Sequence, residues 1–369
     1  MKKMPARRCA AISGTMERPE LAYDRAERFD DAGLEQRMRD PSPPHSLIRK
    51  SEMNKRKLGT TGFEIAPIVF GGNVLGWTAD EAESFRVLDA FIDHGFDAID
   101  TADVYSSWVP GHTGGESETV LGKWLAARPG IRDKVKLFTK VGSEMGGPDN
   151  KGLSERWIVQ AVDHSLQRLK IDTIDVYFSH FTDPSVSYSE TLGAYDKLLK
   201  AGKIRAVGVS NHDAQQLPAA LATAAAEKLP AYQVVQPEYN LLDRDQFEGS
   251  LRDLCIEKNL GVVTYFSLAS GFLSGKYRSR DDLSGRSRAG MVKKYLNDRG
   301  LGLLHVLDDV AASHSAQPAE IALAWLIAQD GVTAPIASTT NVAQVESFAK
   351  AASLTLSNEE LERLTKAGQ

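Results

Sequence analysis

Four residues of this chain have side chains suited to acid–base work, and three of them recur at a fixed interval. Asp100 closes the apolar half of FDAIDTADVY, Lys140 stands in FTKVG, and His180 stands in YFSHFTDP. Tyr105 follows Asp100 by one turn's length of chain. A carboxylate ending an apolar run is costly to bury without a cation. Lys140 is that cation if the two runs are neighbours. An ammonium beside a phenol favours phenolate, so it is expected to lower the pKa of Tyr105 and ready it as a proton donor near neutral pH. His180 beside the phenol would hold a carbonyl oxygen. Each residue alone has a plainer reading: a turn cap, a lysine reaching water, a satisfied core histidine, a loop aromatic. Taken together, they account for one another.

The elements that must position them alternate. Apolar runs of strand length occupy 65–72, 97–102, 136–142, 174–180, 204–211, 232–240, 261–268 and 333–338. Helical patterns lie between them at 80–94, 116–127, 154–169, 188–201, 213–227 and 245–259, several opened by Asp, Ser or Thr as caps. Alternation of this kind predicts an α/β fold with a parallel sheet, and eight units fit a (β/α)8 TIM barrel. The stretch 269–332 is too long for one loop and should hold a mobile segment, SRDDLSGRSRAGM, and helices at 301–315 and 318–329. RKLGTTGFEI, before the first strand, has turn residues placed for a β-hairpin closing the bottom of the barrel. In a barrel, chemistry sits where strands end. Asp100, Lys140 and His180 end three successive strands, so all three rise to one rim.

Residues 1–52 read differently. They are rich in Arg, Asp, Glu and Pro, and are expected to be a disordered extension preceding a 53–369 barrel domain. An early start codon and a dispensable tail account for it equally. The whole chain has 369 residues, 42% hydrophobic and 25% charged, which suits a globular protein. A net charge of −5 argues against a nucleic-acid binder. The two cysteines, Cys9 and Cys255, make no disulfide framework. No apolar run is long enough to span a membrane, and the basic amino end lacks the apolar core of a signal peptide. A cytoplasmic protein is expected, with oligomeric state open.

The four residues and their surroundings resemble the aldo-keto reductase superfamily. DTADVY is similar to its Asp-Thr/Ser-Ala-x-x-Tyr motif, FTKVG to its lysine strand and YFSHFTDP to its histidine strand. GVSNH (208–212) and QPEYN (236–240) resemble its nicotinamide amide site, and YFSLASGFLSGKY (265–277) its stacking and pyrophosphate segment. The likeness runs from about Lys57 to Leu364. It implies an NAD(P)H-dependent oxidoreductase acting on a small carbonyl or alcohol substrate. Tyr105 would donate the proton, Lys140 paired with Asp100 would tune it, and His180 would orient the carbonyl. Ser210, Asn211 and Gln236 would hold the nicotinamide amide, and Tyr265 would stack on its ring. Leu268, Ser270 and Lys276 would line the pyrophosphate path, with Ser338, Thr340 and Gln344 at the adenosine end. The chain departs from the family where Ser-Pro-Leu is usual, having Phe266, Ser267 and Leu268. It has Phe181 where a tryptophan often follows the histidine. Phe181 is expected at the substrate, and Trp108 either touches substrate or packs the loop SSWVPGHTGGESE. NADPH is the implied cofactor, with NADH allowed. Ser338, Thr340 and Gln344 stand where relatives carry Lys or Arg, which predicts only a modest preference.

Other readings compete. GGNVLG (71–76) lacks the G-x-G-x-x-G spacing of a dinucleotide-binding Rossmann turn. A Schiff-base lyase would use Lys140 as its amine. A nicotinamide-binding regulatory subunit without turnover would carry the same residues. The histidines show no zinc-ligand spacing, and GVSNH lacks the frame of a nucleophile elbow.

Overall fold

A computed structural model describes residues 53–369; the expectation for 1–52 lies outside them. Two short strands, β1 (Arg56–Lys57) and β2 (Glu64–Ile65), pair antiparallel as a hairpin. Eight parallel strands then close a barrel. They are β3 (Val69–Gly71), β4 (Ala98–Asp100), β5 (Lys136–Val141), β6 (Ile174–Ser179), β7 (Ile204–Ser210), β8 (Val234–Gln236), β9 (Gly261–Thr264) and β10 (Ala334–Ala337). Neighbours in sequence are neighbours in space, and β10 closes against β3. The helices between strands are α1 (Glu81–Asp93), α2 (Glu116–Ala126), α3 (Glu155–Leu169), α4 (Tyr188–Lys200), α5 (Gln216–Glu227) and α6 (Ser250–Glu257). The long β9–β10 connection holds α7 (Ala289–Val292), α8 (Asp298–Ser313) and α9 (Pro318–Ile327); α10 (Val342–Ser353) and α11 (Asn358–Ala367) complete the chain.

Strand side chains alternate between faces. The inward set, Val69, Ala98, Phe138, Val176, Phe178, Ala206, Val234, Val263 and Ala334, fills the barrel as one apolar cluster. Phe178 needs room, and Gly208 beside it supplies that room: a Cβ there would lie 2.4 Å from the Phe178 ring. Leu58 and Ile65 of the hairpin are fully buried in the same cluster, so the hairpin plugs the bottom as expected. The outer face of the strands packs on the helices through a larger cluster, in which the Phe91 ring meets both Phe70 and Phe96.

Three elements differ from the sequence reading for visible reasons. The 232–240 run is a continuous strand only over Val234–Gln236, because Pro237 has no N–H to give the ladder; Glu238 then meets Tyr265 as an isolated bridge. The 261–268 run stops at Thr264, because Phe266, Ala269 and Ser270 take left-handed backbone angles (φ 52, 48 and 58°). The helix expected from 245 starts at Ser250, after a turn in which Arg244 grips Glu248 and the Thr365 carbonyl. The 278–297 segment folds as short turns around α7. Among the described residues no helix is long and apolar enough to cross a membrane.

Candidate active site

Strand parity lifts the expected residues to one rim. Two positions beyond the inward apolar layer stand Asp100 on β4, Lys140 on β5 and Ser210 on β7, with His180 just past β6. Register fixes the rest: Lys140 pairs with Phe178, Phe178 with Gly208, and Ser210 with Gln236.

Lys140 is fully buried. Its Nζ donates to Asp100 Oδ1 (2.8 Å) and Oδ2 (2.7 Å) and to the Thr101 carbonyl (2.7 Å), and lies 3.1 Å from Tyr105 Oη. Gln236 Nε2 donates to Asp100 Oδ1 at 2.8 Å. Burial pulls the Lys140 pKa down, and Asp100 opposes this. The expected lowering of the Tyr105 pKa is not what the geometry produces. Burial, then the charge of Asp100, holds the phenol well above its usual range. Besides this burial, Asp100 pairs with the ammonium and itself lies 3.4 Å from the phenol. Tyr105 therefore favours its protonated form.

His180 faces Tyr105, with ring centroids 6.1 Å apart. Burial and Lys140 push its pKa well below normal, so the imidazole is neutral near pH 7. Its Nδ1 lies 3.3 Å from Ser143 Oγ. With Ser143 as donor, the ring proton sits on Nε2, in position for an oxygen ligand. Asn211, in a left-handed backbone conformation, ties the walls together. Its Nδ2 donates to the His180 carbonyl (2.8 Å), and Tyr265 Oη donates to its Oδ1 (2.7 Å). Ser210 Oγ donates to the Gln236 carbonyl at 2.8 Å.

The rim opens into a cavity of about 660 Å³, lined by Asp100, Tyr105, Trp108, His180, Phe181, Ser210, Asn211, Gln236, Tyr265 and Ser338. A second cavity of about 450 Å³ adjoins it, lined by Leu268, Ser270, Lys276, Ser338, Thr340 and Gln344. Asn73, Phe266, Ser287, Arg288, Ile336 and Ser338 line both, so the two form one cleft. Only Lys140 among the expected residues lies beneath its floor.

The sequence reading missed Arg286 and Arg288, which also line the second cavity. With Lys276 they make three cations, and among the described residues none of the three has a carboxylate partner within an ion pair. Burial and both arginines lower the Lys276 pKa. Three cations outside any ion pair around one cleft fit an anion such as the diphosphate of a dinucleotide. The signal was present in SGRSRAG, but its place above the cleft depends on how the β9–β10 connection folds.

A model of the aldo/keto reductase family matches residues 67–369. The chain belongs to this family. The reductase fold and site order seen above agree with that membership. One relative is an uncharacterized oxidoreductase, YrpG, of Bacillus subtilis, 31% identical over 313 residues, covering 83% of this chain and 93% of the relative. Another is a probable voltage-gated potassium channel subunit beta of Arabidopsis thaliana, 29% identical, covering 81% and 91%. A third is an L-glyceraldehyde 3-phosphate reductase of Escherichia coli, 28% identical, covering 86% and 92%.

Near this site lies a carboxyl that takes no part in its hydrogen bonds. Asp103 is 1% exposed, and neither of its oxygens has a hydrogen-bond partner among the described residues. Burial, then Glu118, holds its pKa well up, against Arg168 and Lys140. The unfolded chain releases this proton near pH 4, roughly, while the folded chain keeps it. The group's stabilising share is whole below that pH and falls as pH rises toward the folded value. Asp103→Asn removes the titration. The melting temperature of the variant minus that of wild type is expected to grow more positive from about pH 4 to pH 8. A difference constant across that range means the native carboxyl is ionised.

Proposed function

We propose that the protein reduces aldehydes or ketones to alcohols with a reduced nicotinamide dinucleotide, or runs the reverse oxidation, with Tyr105 as proton donor. The observation that carries this reading is the Asp100–Lys140–Tyr105 contact set beside His180 at the floor of the two-part cleft. When bound, the cofactor supplies the hydride to the carbonyl carbon. His180 Nε2–H and Tyr105 Oη–H both point hydrogen-bond donors at the carbonyl oxygen. As that oxygen gains negative charge, Tyr105 gives it a proton, and the Lys140 ammonium stabilises the phenolate left behind. The balance is one hydride to carbon and one proton to oxygen. The proton returns to Tyr105 from solvent.

Ser210, Asn211 and Gln236 hold the nicotinamide amide in this reading, and Tyr265 flanks the ring. Gln236 keeps its Oε1 for the ligand while its Nε2 steadies Asp100. Lys276, Arg286 and Arg288 face the phosphates. The same reading puts the protein in the cytoplasm, with reduced cofactor at hand. A Schiff-base role for Lys140 fits poorly, since its three N–H groups are engaged below the cavity floor. Rapid mixing of the cofactor-loaded protein with an aldehyde tests turnover. Loss of the cofactor's absorbance within one turnover is expected; bound cofactor that stays reduced indicates a regulatory subunit.

The modest NADPH preference expected from Ser338, Thr340 and Gln344 would become a clear one with Arg286 or Arg288 at the ribose phosphate that NADPH alone carries. A charge-assisted hydrogen bond contributes about 1.5–3 kcal/mol, or roughly tenfold or more in affinity. Arg286→Ala combined with Arg288→Ala is expected to weaken NADPH by at least about tenfold more than NADH. Titration of both cofactors by fluorescence reads this. Equal weakening of the two means the arginines see only the shared diphosphate.

A further inference from the structure

We infer that the preferred substrate carries its carbonyl on a flat, uncharged aromatic or conjugated group. This rests on the reductase reading and adds to it the chemistry of the non-reacting part. Above Tyr105 and His180 the cavity is framed by Trp77, Trp108, Phe181 and Met291. Trp108, Phe181 and Met291 are 48%, 49% and 43% exposed, three of the few large apolar side chains left open to water among the described residues. Such a cluster at a cavity mouth marks a surface that a ligand covers.

The frame is continuous with the reacting end. The Phe181 ring stacks on His180, with centroids 4.6 Å apart and planes 16° off parallel. Trp108 meets Tyr105 edge-on at 6.1 Å and Trp77 at 5.5 Å. A carbonyl held between Tyr105 and His180 thus projects its substituent between two aromatic walls. Planar π systems gain most from such walls. Charge is poorly served there. Asp100 is paired with Lys140, and His180 is neutral. Arg288 is the remaining ionic side chain lining this half; it lies over the Trp77 ring at 5.5 Å and also lines the cofactor half. A phosphorylated or carboxylated substrate would compete there with the cofactor's own anions.

The test is a series of aldehydes with NADPH: benzaldehyde, cinnamaldehyde, propionaldehyde and glyceraldehyde 3-phosphate. Each aromatic wall should contribute about tenfold, so kcat/KM for the first two is expected to exceed the last two by about 100-fold. Trp108→Ala and Phe181→Ala are each expected to shrink that ratio by about tenfold. The ratio cancels any common effect of the variants on turnover. A wild type that handles propionaldehyde or glyceraldehyde 3-phosphate as well as benzaldehyde overturns the inference. So does a ratio left intact in both variants. Silence toward the whole series sinks the reductase reading itself, and is distinct from turnover without aromatic preference.

Discussion

Tyr105→Phe is expected to slow the chemical step by roughly 10²-fold or more, the scale of a lost general acid. The Phe ring keeps the contacts with Trp108 and His180, so NADPH affinity should stay within about twofold, since each factor of ten takes about 1.4 kcal/mol. Single-turnover absorbance separates the two quantities. Its pH dependence carries a second test. The phenol must hold its proton to act as an acid. Burial and Asp100 raise its pKa, so the single-turnover rate should show no loss on the alkaline side of neutral. A rate that falls between pH 7 and pH 9 would mean that Lys140 dominates after all. A Phe variant reducing a good aldehyde at the wild-type rate removes Tyr105 from the reaction.

Lys140→Met should harm both rate and fold. It leaves the Asp100 carboxylate buried with Gln236 and Tyr105 as its hydrogen-bonding neighbours. Removing one member of a buried ion pair costs about 3–5 kcal/mol, because a lone charge stays in low dielectric. It also removes the cation 3.1 Å from the phenol oxygen, which would stabilise the phenolate as it forms. A rate loss of about 10²-fold is expected beside the lost stability. Adding Asp100→Asn to Lys140→Met removes the stranded charge, so the pair should unfold at a higher urea concentration than Lys140→Met alone. Activity should not return with it. If the single variant unfolds at the wild-type midpoint, the ion pair is not what holds this floor together.

The barrel and its rim were legible because strands repeat with a period of two. Asp100, Lys140 and Gln236 share parity with the apolar residues two places before them, and Ser210 with Ala206 four places before it, so one pattern predicts both core and site. The hairpin was legible from turn residues followed by an apolar Ile65. What escaped reading depends on distance across the fold. Arg286 and Arg288 sit in a connection without periodicity, so nothing local says which wall they meet. The sign of the Tyr105 shift required weighing an ammonium against the carboxylate bonded to it. Asn211, expected to hold cofactor, also bridges His180 and Tyr265, a link between three strand ends that no spacing announces.

The seams of the barrel are unequal. β6 and β7 share five register pairs, whereas β10 meets β9 through two and β3 through two. β10 is also the last strand made, and Ile336 and Ser338 at its end line both halves of the cleft. A nascent chain that has not yet released Ser338 from the ribosome therefore has an open sheet with two bare edges, the kind that invites pairing with other chains. It also has a cleft missing one wall. Ligand capture in this cleft becomes available only when nearly all of the chain has emerged, so a ligand that needs both halves of the cleft would bind only a finished, closed barrel.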